Sequence, residues 1–379
     1  MKNVAIYNPG WQAFGGGEKY ACSIAESLSR AAGVRVRLLV TKQNISKERL
    51  TQYFNVDLAN VDLVKMRPGE VRQSLAQADL GVVIFNFRLF GFPSKRNVYV
   101  MQIPYARLSF GGILKRFLKG EFVEAVKDPY RKYVLSAVRR SDKILVYSKF
   151  VRDVLKEYHG ISSEVLYPPI DDFRTNGTKE NVVLSVGRFF SGLFNDKRHD
   201  VLIDSFKRLS DQLGDHRWRY NLVGSCTDDQ PSQEYLASLK EAAKGYPIHF
   251  YVNMAYEELK RQYNTATLFW HAAGFGIDEA VAPESTEHFG MTTVEAMSAA
   301  CIPIVMNKGG QKEIVQHGVN GFLWDSTDEL VRITADVMQG RTETDNLRNE
   351  ARRRFEDFNR EKFDDGIARM VRPLLMRQT

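Results

Sequence analysis

Short apolar segments alternate with amphipathic segments along almost the whole chain, and this alternation constrains the fold more than any other feature. The apolar runs that we interpret as strands fall into two sets. The first set covers residues 4–8, 36–40, 80–86, 98–103 and 144–148, and the second covers 182–186, 220–223, 248–252, 268–272 and 302–306. Strands that alternate with helix-length segments are typical of parallel sheets joined by crossover helices. The sequence therefore predicts an α/β protein.

A polar stretch with two prolines separates the two sets of strands. Residues 167–180 read Tyr-Pro-Pro-Ile-Asp-Asp-Phe-Arg-Thr-Asn-Gly-Thr-Lys-Glu, a composition that favours a linker. A length of 379 residues also fits two domains. We therefore expect one domain over residues 1–170 and a second over 171–355. The end of the chain, 349–379, has a charged helical pattern.

The composition indicates a globular protein in a reducing compartment. Hydrophobic residues make up 44% of the chain and charged residues 26%, which are ordinary values. Cys22, Cys226 and Cys301 are too few and too scattered to indicate a disulfide framework or a zinc site. The first residues lack the features of a signal peptide, so we expect a cytoplasmic protein. The net charge of +7 permits an anionic partner without naming one.

Two glutamates eight residues apart, Glu287 and Glu295, follow the apolar run at 268–272. Glu287 lies on the loop after that predicted strand, and Glu295 lies on a helix predicted over 292–300. Ligands bind at the carboxyl ends of the strands in open α/β sheets, so both carboxylates lie where a ligand would bind. The backbone N–H groups expected near the positive end of this helix belong to His288, Phe289, Gly290 and Met291. Carboxylates for hydroxyl groups and amides for oxygens together outline a sugar and ribose site.

This pattern resembles the E-x7-E motif of the large family of retaining glycosyltransferases with the GT-B fold (the group 1, or family 4, type). The His-Phe-Gly segment at 288–290 and the glycine-containing segments at 309–313 and 318–322 make the match specific. The resemblance implies that Glu287 lies against the donor sugar and that Glu295 binds the ribose hydroxyls. The alternative is a solvated helix start with capping glutamates and no ligand.

For the fold, the same resemblance implies two Rossmann-like domains that face each other across a cleft. The first would be the acceptor side and the second would bind the nucleotide sugar. Residues 356–379 would form a C-terminal helix that packs back on the N-terminal domain.

Arg188 directly follows the predicted strand at 182–186, and Lys197 comes nine residues later. Sugar transfer leaves a diphosphate with new negative charge, which a metal ion or fixed cations must stabilise. A guanidinium and an ammonium group both suit phosphate oxygens. The pair resembles the Gly-Arg…Lys pair of the same family, with Arg198 as the alternative to Lys197. Surface cations beside a loop are the other interpretation.

No Asp-x-Asp sequence occurs in the chain. Such a pair commonly holds a metal ion on the diphosphate in glycosyltransferases of the other common fold. We therefore expect no metal site and no cofactor beyond the nucleotide-diphosphate sugar donor.

Three successive glycines, Gly15, Gly16 and Gly17, follow the first predicted strand and open a helix. They allow close approach of a ligand to the backbone, although they do not form the G-x-G-x-x-G dinucleotide motif. They resemble the Gly-Gly-x-Glu loop of the same family, which lies beside the donor diphosphate and the acceptor. A tight turn without a ligand is the alternative.

Gln102 and Tyr105 are the candidates on the acceptor side. Many members of the family carry a histidine near the reacting sugar in this part of the first domain, but all seven histidines here lie at His159 or later. Glutamine cannot act as a general base near neutral pH. Gln102 therefore favours front-face transfer, in which the leaving phosphate oxygen takes the acceptor proton. A local backbone contact is its other interpretation.

Two histidines flank the Glu287 loop. His288 lies within the motif, so we expect it in the sugar pocket. His271 lies within the apolar run at 268–272, so we expect it to be a core residue with an ordinary hydrogen-bond partner. The nearby carboxylates Asp278, Glu279 and Glu284 are interpreted as solvated loop charges.

Residues 107–120 are both basic and apolar. Such a segment can lie as a helix on an anionic membrane surface, or it can be an ordinary helix packed on the sheet. The first interpretation predicts peripheral contact with the inner face of the membrane.

Together these features predict a retaining, metal-independent enzyme that moves a hexose-type sugar from a nucleotide-diphosphate sugar to a glycan or lipid-linked acceptor. One alternative is a glycosyltransferase that acts on nucleic acid. We do not expect nucleic acid as a partner, because no basic stripe with interleaved aromatic residues is present. The other alternative is a non-catalytic sugar-nucleotide-binding protein.

Overall fold

The computed structural model of the chain describes residues 1–11, 15–42, 44–85, 91–106, 122–175, 177–190, 196–214 and 217–376, without the side chains of 122–128. It contains two compact units. The first comprises Met1–Pro169 and Arg360–Thr379, and the second comprises Ile170–Asn359. The sequence pattern places the first boundary one residue later, between 170 and 171.

The described part of the first unit contains a parallel sheet of seven strands. These strands are β1 (Lys2–Tyr7), β2 (Val34–Val40), β3 (Val61–Lys65), β4 (Leu80–Ile84), β5 (Arg96–Met101), β6 (Lys143–Val146) and β7 (Glu164–Val165). Their order in the sheet is β3-β2-β1-β4-β5-β6-β7. Every residue of β4 is buried, as expected for a parallel strand whose two faces are covered by helices.

The helices of this part of the chain are α1 (Gly16–Ser29), α2 (Lys47–Phe54), α3 (Val71–Ala76), α4 (Phe122–Val138) and α5 (Lys149–His159). Their ends carry local signals in the sequence. The hydroxyl of Ser148 accepts a hydrogen bond from the backbone N–H of Val151 at the start of α5, and Gly160 ends that helix in the left-handed conformation. Both are common helix caps.

The described part of the second unit contains a parallel sheet of six strands. These strands are β8 (Glu180–Val186), β9 (Arg219–Gly224), β10 (Ile248–Val252), β11 (Ala266–His271), β12 (Ile302–Met306) and β13 (Phe322–Trp324). Their order is β10-β9-β8-β11-β12-β13. The helices are α6 (His199–Leu213), α7 (Gln230–Ala242), α8 (Tyr256–Thr265), α9 (Met291–Ser298), α10 (Gln311–Ile314), α11 (Thr327–Met338) and α12 (Asp345–Phe355).

Both sheets reverse their strand order at a central pair, β1 with β4 in the first unit and β8 with β11 in the second. In open parallel sheets, ligands bind at the carboxyl ends of the strands beside such a reversal. Each unit therefore has one edge at which a site is expected. The α/β class and the parallel arrangement predicted from the sequence are confirmed.

Three strands, β3, β7 and β13, are absent from the sequence-based prediction. All three lie at sheet edges. β7 has only two residues and β13 only three. β3 is longer, but most of its residues are only partly buried. These three edge strands therefore lack the continuous apolar run that identifies a buried strand.

The helix predicted over 349–379 is not continuous. α12 ends at Phe355, a 3₁₀ turn covers Glu356–Phe358, and Asn359 is extended. The carbonyl oxygen of Phe358 accepts a hydrogen bond of 2.9 Å from the backbone N–H of Ile170. The break lies where the chain leaves the second unit, and helical periodicity cannot reveal it because the segments on both sides are charged and amphipathic.

After the break, α13 (Arg360–Met370) and α14 (Arg372–Met376) belong to the first unit. The ring of Phe363 packs edge-on against Tyr20 of α1, with centroids 5.4 Å apart. Arg360 forms a 2.7 Å ion pair with Glu26 of the same helix. The C-terminal segment therefore contributes to the core of the N-terminal unit through α1.

Among the described residues, no helix has the length and apolarity needed to cross a membrane. The basic segment 107–120, which the sequence associates with a membrane surface, lies outside the described residues. Residues 191–195, between Arg188 and Lys197, also lie outside them.

Candidate functional site

The second unit places Arg188 and Glu287 after two neighbouring strands. β8 ends at Val186, and the exposed Arg188 follows two residues later. β11 ends at His271, and the loop after it carries Glu287. Because the strand order reverses between β8 and β11, these residues lie at the edge where a ligand is expected.

Lys197 contacts Glu287 directly. Its ammonium nitrogen lies 2.6 Å from Oε2 of Glu287, and the two side chains are only 15% and 11% exposed. The stem of Lys197 crosses Gly187, where a Cβ would lie 2.7 Å from Cγ of the lysine. Gly187 therefore leaves the space through which Lys197 reaches the carboxylate.

Arg198, the alternative to Lys197, is held elsewhere. Its guanidinium forms a 2.9 Å ion pair with Asp200 and donates a 3.0 Å hydrogen bond to the carbonyl oxygen of Phe275. This geometry favours Lys197 over Arg198 as the second cation of the site.

His271 is buried, but its partner is a residue of the candidate site. Its Nε2 lies 2.8 Å from Oε2 of Glu287, the same oxygen that Lys197 contacts. The prediction that His271 is an ordinary core residue therefore misses its partner. The signal in the sequence is a histidine in the apolar run just before a loop that carries a candidate carboxylate.

The surroundings of Glu287 favour its ionised form. Burial alone raises the pKa of this carboxyl group, but the charge of Lys197 and the hydrogen bond from His271 outweigh burial and hold the pKa well below its usual range. Glu287 is therefore a buried carboxylate, fixed by a cation and an imidazole.

The glycine segment at 309–313 supports the Glu287 loop from behind. The N–H of Gly310 donates a 2.8 Å hydrogen bond to the carbonyl oxygen of Glu287. Gly309 has φ +59°, and a Cβ there would overlap the same oxygen. Both the conformation and the close approach require glycine at 309.

Glu279 also belongs to this support. Its carboxylate accepts a 2.9 Å hydrogen bond from the backbone N–H of Gly309 and pairs with Lys312. The interpretation of Glu279 as a solvated loop charge is wrong, since the side chain joins two loops that are distant in sequence. Asp278, by contrast, forms a local turn contact, in which Oδ1 accepts a 3.0 Å hydrogen bond from the N–H of Ala280.

The side chains of His288 and Phe289 make contacts within the protein. Nε2 of His288 lies 2.9 Å from the carbonyl oxygen of Glu284, and the buried ring of Phe289 packs edge-on against Phe358, with centroids 5.3 Å apart. Gly290 then caps α9 with φ +118°, and Met291 begins the helix. The segment thus presents the positive end of α9 next to Glu287.

Glu295 lies on α9 and is half-buried. Its Oε2 accepts a 2.8 Å hydrogen bond from the hydroxyl of Tyr263, a fully buried residue of α8. One carboxylate oxygen is therefore held by the protein in a fixed orientation.

In the first unit, the glycine segment and Gln102 lie together. Gly16 begins α1, and the N–H of Gly15 donates a 3.0 Å hydrogen bond to the carboxylate of Glu18. A Cβ on Gly17 would lie 3.0 Å from Oε1 of Gln102. Nε2 of Gln102 is buried without a hydrogen-bond partner among the described residues. The amide of Gln102 thus covers the start of α1.

Tyr105 lies in the hydrophobic core of the first unit. The residue is 5% exposed, and its ring packs edge-on against Phe85, with centroids 5.9 Å apart. Tyr105 therefore helps to pack the core near the end of β5. Of the two acceptor-side candidates, Gln102 is the less buried.

With this geometry established, comparisons with known proteins give the family. Residues 169–354 match the family model for glycosyl transferases group 1. The GDP-Man:Man(3)GlcNAc(2)-PP-Dol alpha-1,2-mannosyltransferases of Dictyostelium discoideum and Xenopus laevis are similar to the chain. The first is 25% identical over 242 residues, covering 59% of this chain and 45% of the relative. The second is 28% identical over 254 residues, covering 62% and 49%. The chain thus spans about half the length of these curated relatives.

Solved structures resemble the chain over nearly its whole length. Anabaena Alr3699/HepE in complex with UDP and glucose has a TM-score of 0.72 at 18% identity, covering 98% of this chain and 100% of that one. WaaG, a glycosyltransferase involved in lipopolysaccharide biosynthesis, has a TM-score of 0.66 at 16% identity, covering 97% and 100%. These likenesses concern the fold. The family match shows that residues 169–354 belong to the glycosyl transferases group 1 family, and the likeness to solved structures shows that the chain has the GT-B fold.

Proposed function

We propose that this protein transfers a hexose-type sugar from a nucleotide-diphosphate sugar to a glycan or lipid-linked acceptor, with retention of the anomeric configuration. The main support is the cluster at the carboxyl edge of the second sheet. There Glu287 is held by Lys197 and His271, and Arg188 follows the neighbouring strand.

In this proposal Arg188 and Lys197 stabilise the charge that grows on the leaving diphosphate. Fixed cations at a developing charge supply a large part of the catalysis in many enzymes. Glu287 positions the donor sugar and favours the positive charge that develops at the anomeric carbon. Glu295, oriented by Tyr263, binds the ribose hydroxyls.

The side chain of Gln102 lies against the start of α1. A general base in this place could take the proton of the acceptor. Because the amide of Gln102 cannot accept a proton near neutral pH, we assign proton acceptance to a leaving phosphate oxygen on the same face of the sugar. This front-face transfer agrees with retention. Assignment of the product anomer by NMR tests it, and an inverted product contradicts it.

The names of the relatives support the substrate class. The curated relatives are mannosyltransferases that use GDP-mannose and a dolichol-linked glycan, and the solved structure with a similar fold contains UDP and glucose. We therefore propose a GDP- or UDP-hexose as donor.

A two-step experiment tests the proposed function. Thermal unfolding is first measured with a panel of GDP- and UDP-hexoses, since a ligand at ~100 times its dissociation constant stabilises a protein by about 2.7 kcal/mol. Hydrolysis of the stabilising donor is then followed without an acceptor, and transfer is followed with glycan and lipid-linked acceptors. Binding without hydrolysis or transfer favours a non-catalytic sugar-nucleotide-binding protein. Transfer to DNA or RNA favours the nucleic-acid alternative.

We also propose that catalysis requires no divalent metal, because Arg188 and Lys197 supply cations and the chain has no Asp-x-Asp pair. Turnover is measured with and without EDTA. Unchanged turnover supports the proposal, while loss of turnover that Mn²⁺ restores refutes it.

A peripheral membrane contact through residues 107–120, on the cytoplasmic face, remains a proposal from their basic and apolar composition. Cosedimentation with anionic vesicles tests it, with zwitterionic vesicles as the control. Equal binding to both kinds, or to neither, contradicts it.

A further inference from the structure

Two donors of the protein converge on one oxygen of Glu287. Nζ of Lys197 lies 2.6 Å from Oε2, and Nε2 of His271 lies 2.8 Å from the same atom. In the described part of the chain, no hydrogen bond reaches Oε1. The protein therefore occupies one side of the carboxylate and leaves the other side to a ligand.

The surroundings of His271 fix its protonation state. Its side chain is 3% exposed, and Nδ1 is buried without a hydrogen-bond partner among the described residues. A charged imidazolium carries an N–H on both nitrogens, so it would leave a buried donor unpaired at Nδ1, which is costly. The favoured form is the neutral ring with its proton on Nε2, donated to Glu287.

Other charged and titratable groups around the cluster agree with a neutral ring. Burial lowers the pKa of His271, and this effect outweighs the carboxylate of Glu287; the nearby charge of Lys197 lowers it further. Burial also lowers the pKa of His199, to about 4, and that of His288. Near neutral pH, Lys197 is thus the cation that faces Glu287 within this group.

A carboxylate held by Lys197 alone would lose its support whenever that lysine turned to the leaving diphosphate. We propose that His271 is a positioning residue that holds Oε2 of Glu287 through a neutral hydrogen bond, so that Oε1 stays directed to the donor sugar while Lys197 is shared with the diphosphate. This inference rests on the proposed function.

Three substitutions of His271 separate the hydrogen bond from the volume of the ring. The amide nitrogen of His271→Gln can occupy the place of Nε2, whereas the shorter His271→Asn cannot reach it and His271→Phe keeps a ring without a donor. His249, exposed on β10 of the same unit, provides the matched controls His249→Gln, His249→Asn and His249→Phe. Kinetics with one donor and thermal unfolding are measured for all six variants.

We expect His271→Asn and His271→Phe to lower kcat by roughly 10–100-fold, the range for a lost hydrogen bond to a charged group. The donor KM should change little, and His271→Gln should recover most of the rate.

The pH profile should also change. Loss of the His271 donor raises the pKa of Glu287, so the acid limb of kcat/KM should move to higher pH in the Asn and Phe variants and stay near that of the wild type in the Gln variant.

Equal loss in the Gln, Asn and Phe variants, an acid limb that does not move, or unchanged kcat in all three would overturn the proposal. If His271→Phe does not fold, the Gln–Asn pair decides alone, because these side chains differ by one methylene. None of these effects should appear in the His249 variants.

A measurement without substrate separates this proposal from the proposed function. The folded-state pKa of Glu287 is lowered, so its contribution to stability is present above the unfolded-state pKa of about 4.3 and is lost as pH falls through the folded pKa. The difference in unfolding temperature between wild type and His271→Asn should therefore be largest at pH 7 and shrink only at more acid pH, as the pH falls through the folded-state pKa, which lies well below the usual range of a carboxyl group. A difference independent of pH contradicts the hydrogen bond. Absence of transfer with any donor, despite this pH dependence, contradicts only the proposed function.

Discussion

The six strands of the second sheet follow the order of the first six strands of the first sheet, but the two units place different chemistry at the carboxyl edge of their sheets. In the second unit, charged side chains meet after β8 and β11, and the buried carboxylate of Glu287 is held by Lys197 and His271. In the first unit, the corresponding edge carries a glycine segment covered by the neutral amide of Gln102. The same order of strands thus supports one candidate site based on charge and another based on shape.

This difference predicts how the two sites respond to substitution. Charges that are buried and paired act through electrostatics, which is strong where water is excluded. A glycine segment and a flexible amide act through steric fit, which can adjust. We therefore expect the largest losses in the second unit and the smallest in the first.

The largest effect is expected for Glu287→Gln. The substitution keeps the size of the side chain but removes the negative charge beside the reacting sugar, so kcat should fall by about 10²–10³-fold, with a smaller change in donor KM. Steady-state kinetics measures both constants, and Glu234→Gln, at an exposed position on α7, is the control. A change in KM alone for Glu287→Gln, together with a fall in kcat for Glu295→Gln, would show that the two glutamates have each other's roles.

Arg188→Ala should have the next largest effect. Arg188 is exposed after β8 and stacks on the ring of Phe190, with its guanidinium carbon 4.6 Å from the ring centroid. Loss of a cation that acts on the leaving diphosphate should lower kcat by about 10²-fold, with a weaker effect on donor affinity. Arg332→Ala, at an exposed position on α11, should change neither. Lower affinity with intact turnover argues against a role in the transition state.

Glu295→Gln should mainly weaken donor binding. The geometry of the ribose barely changes during the reaction, so a lost contact to it raises the donor KM by roughly tenfold and leaves kcat near that of the wild type. Tyr263→Phe removes the hydroxyl that orients Glu295 and should have a smaller effect of the same kind. A fall in kcat without a change in KM would contradict ribose binding.

Gly17→Ala should have the smallest effect. The new Cβ would lie 3.0 Å from Oε1 of Gln102, and the flexible end of that side chain can move away. We expect a few-fold loss of transfer, a nearly unchanged unfolding temperature, and recovery in the double variant Gly17→Ala with Gln102→Ala. Gly69→Ala is the matched control, since a Cβ there meets no atom within 4 Å. A loss as large as that of Glu287→Gln would remove the distinction between the two units.

Much of the fold could be predicted from the sequence, because the buried central strands are continuous apolar runs. β12 (Ile302–Met306), which is buried throughout, has the predicted bounds. β10 (Ile248–Val252) also has them, although it lies at a sheet edge. The other edge strands, β3, β7 and β13, could not be predicted in this way, since β7 and β13 are very short and Asp62 interrupts the apolar run of β3. The break between α12 and α13 was missed for a related reason: the helical period continues across it while the chain passes from one core to another.

The sequence likewise predicts some features of the candidate site and not others. Glu287, Glu295 and Arg188 could be placed at a sheet edge from their positions next to strands, and their chemical roles remain predictions. The contacts that hold them could not be predicted. His271 and Glu279 reach their partners across 16 and 30 positions of sequence, and no periodic pattern encodes such distances.

The sequence by itself determined the α/β class, the parallel strands and the residues that follow them, because the alternation of apolar and amphipathic segments is a local property of the chain. Only the tertiary structure decided which side chains meet at the sheet edge. It directed Lys197, rather than Arg198, to Glu287, and it made His271 a partner of that carboxylate. The physical reason is that a buried charge is stable only where cations and donors from separate elements converge on it, and folding alone brings those elements together.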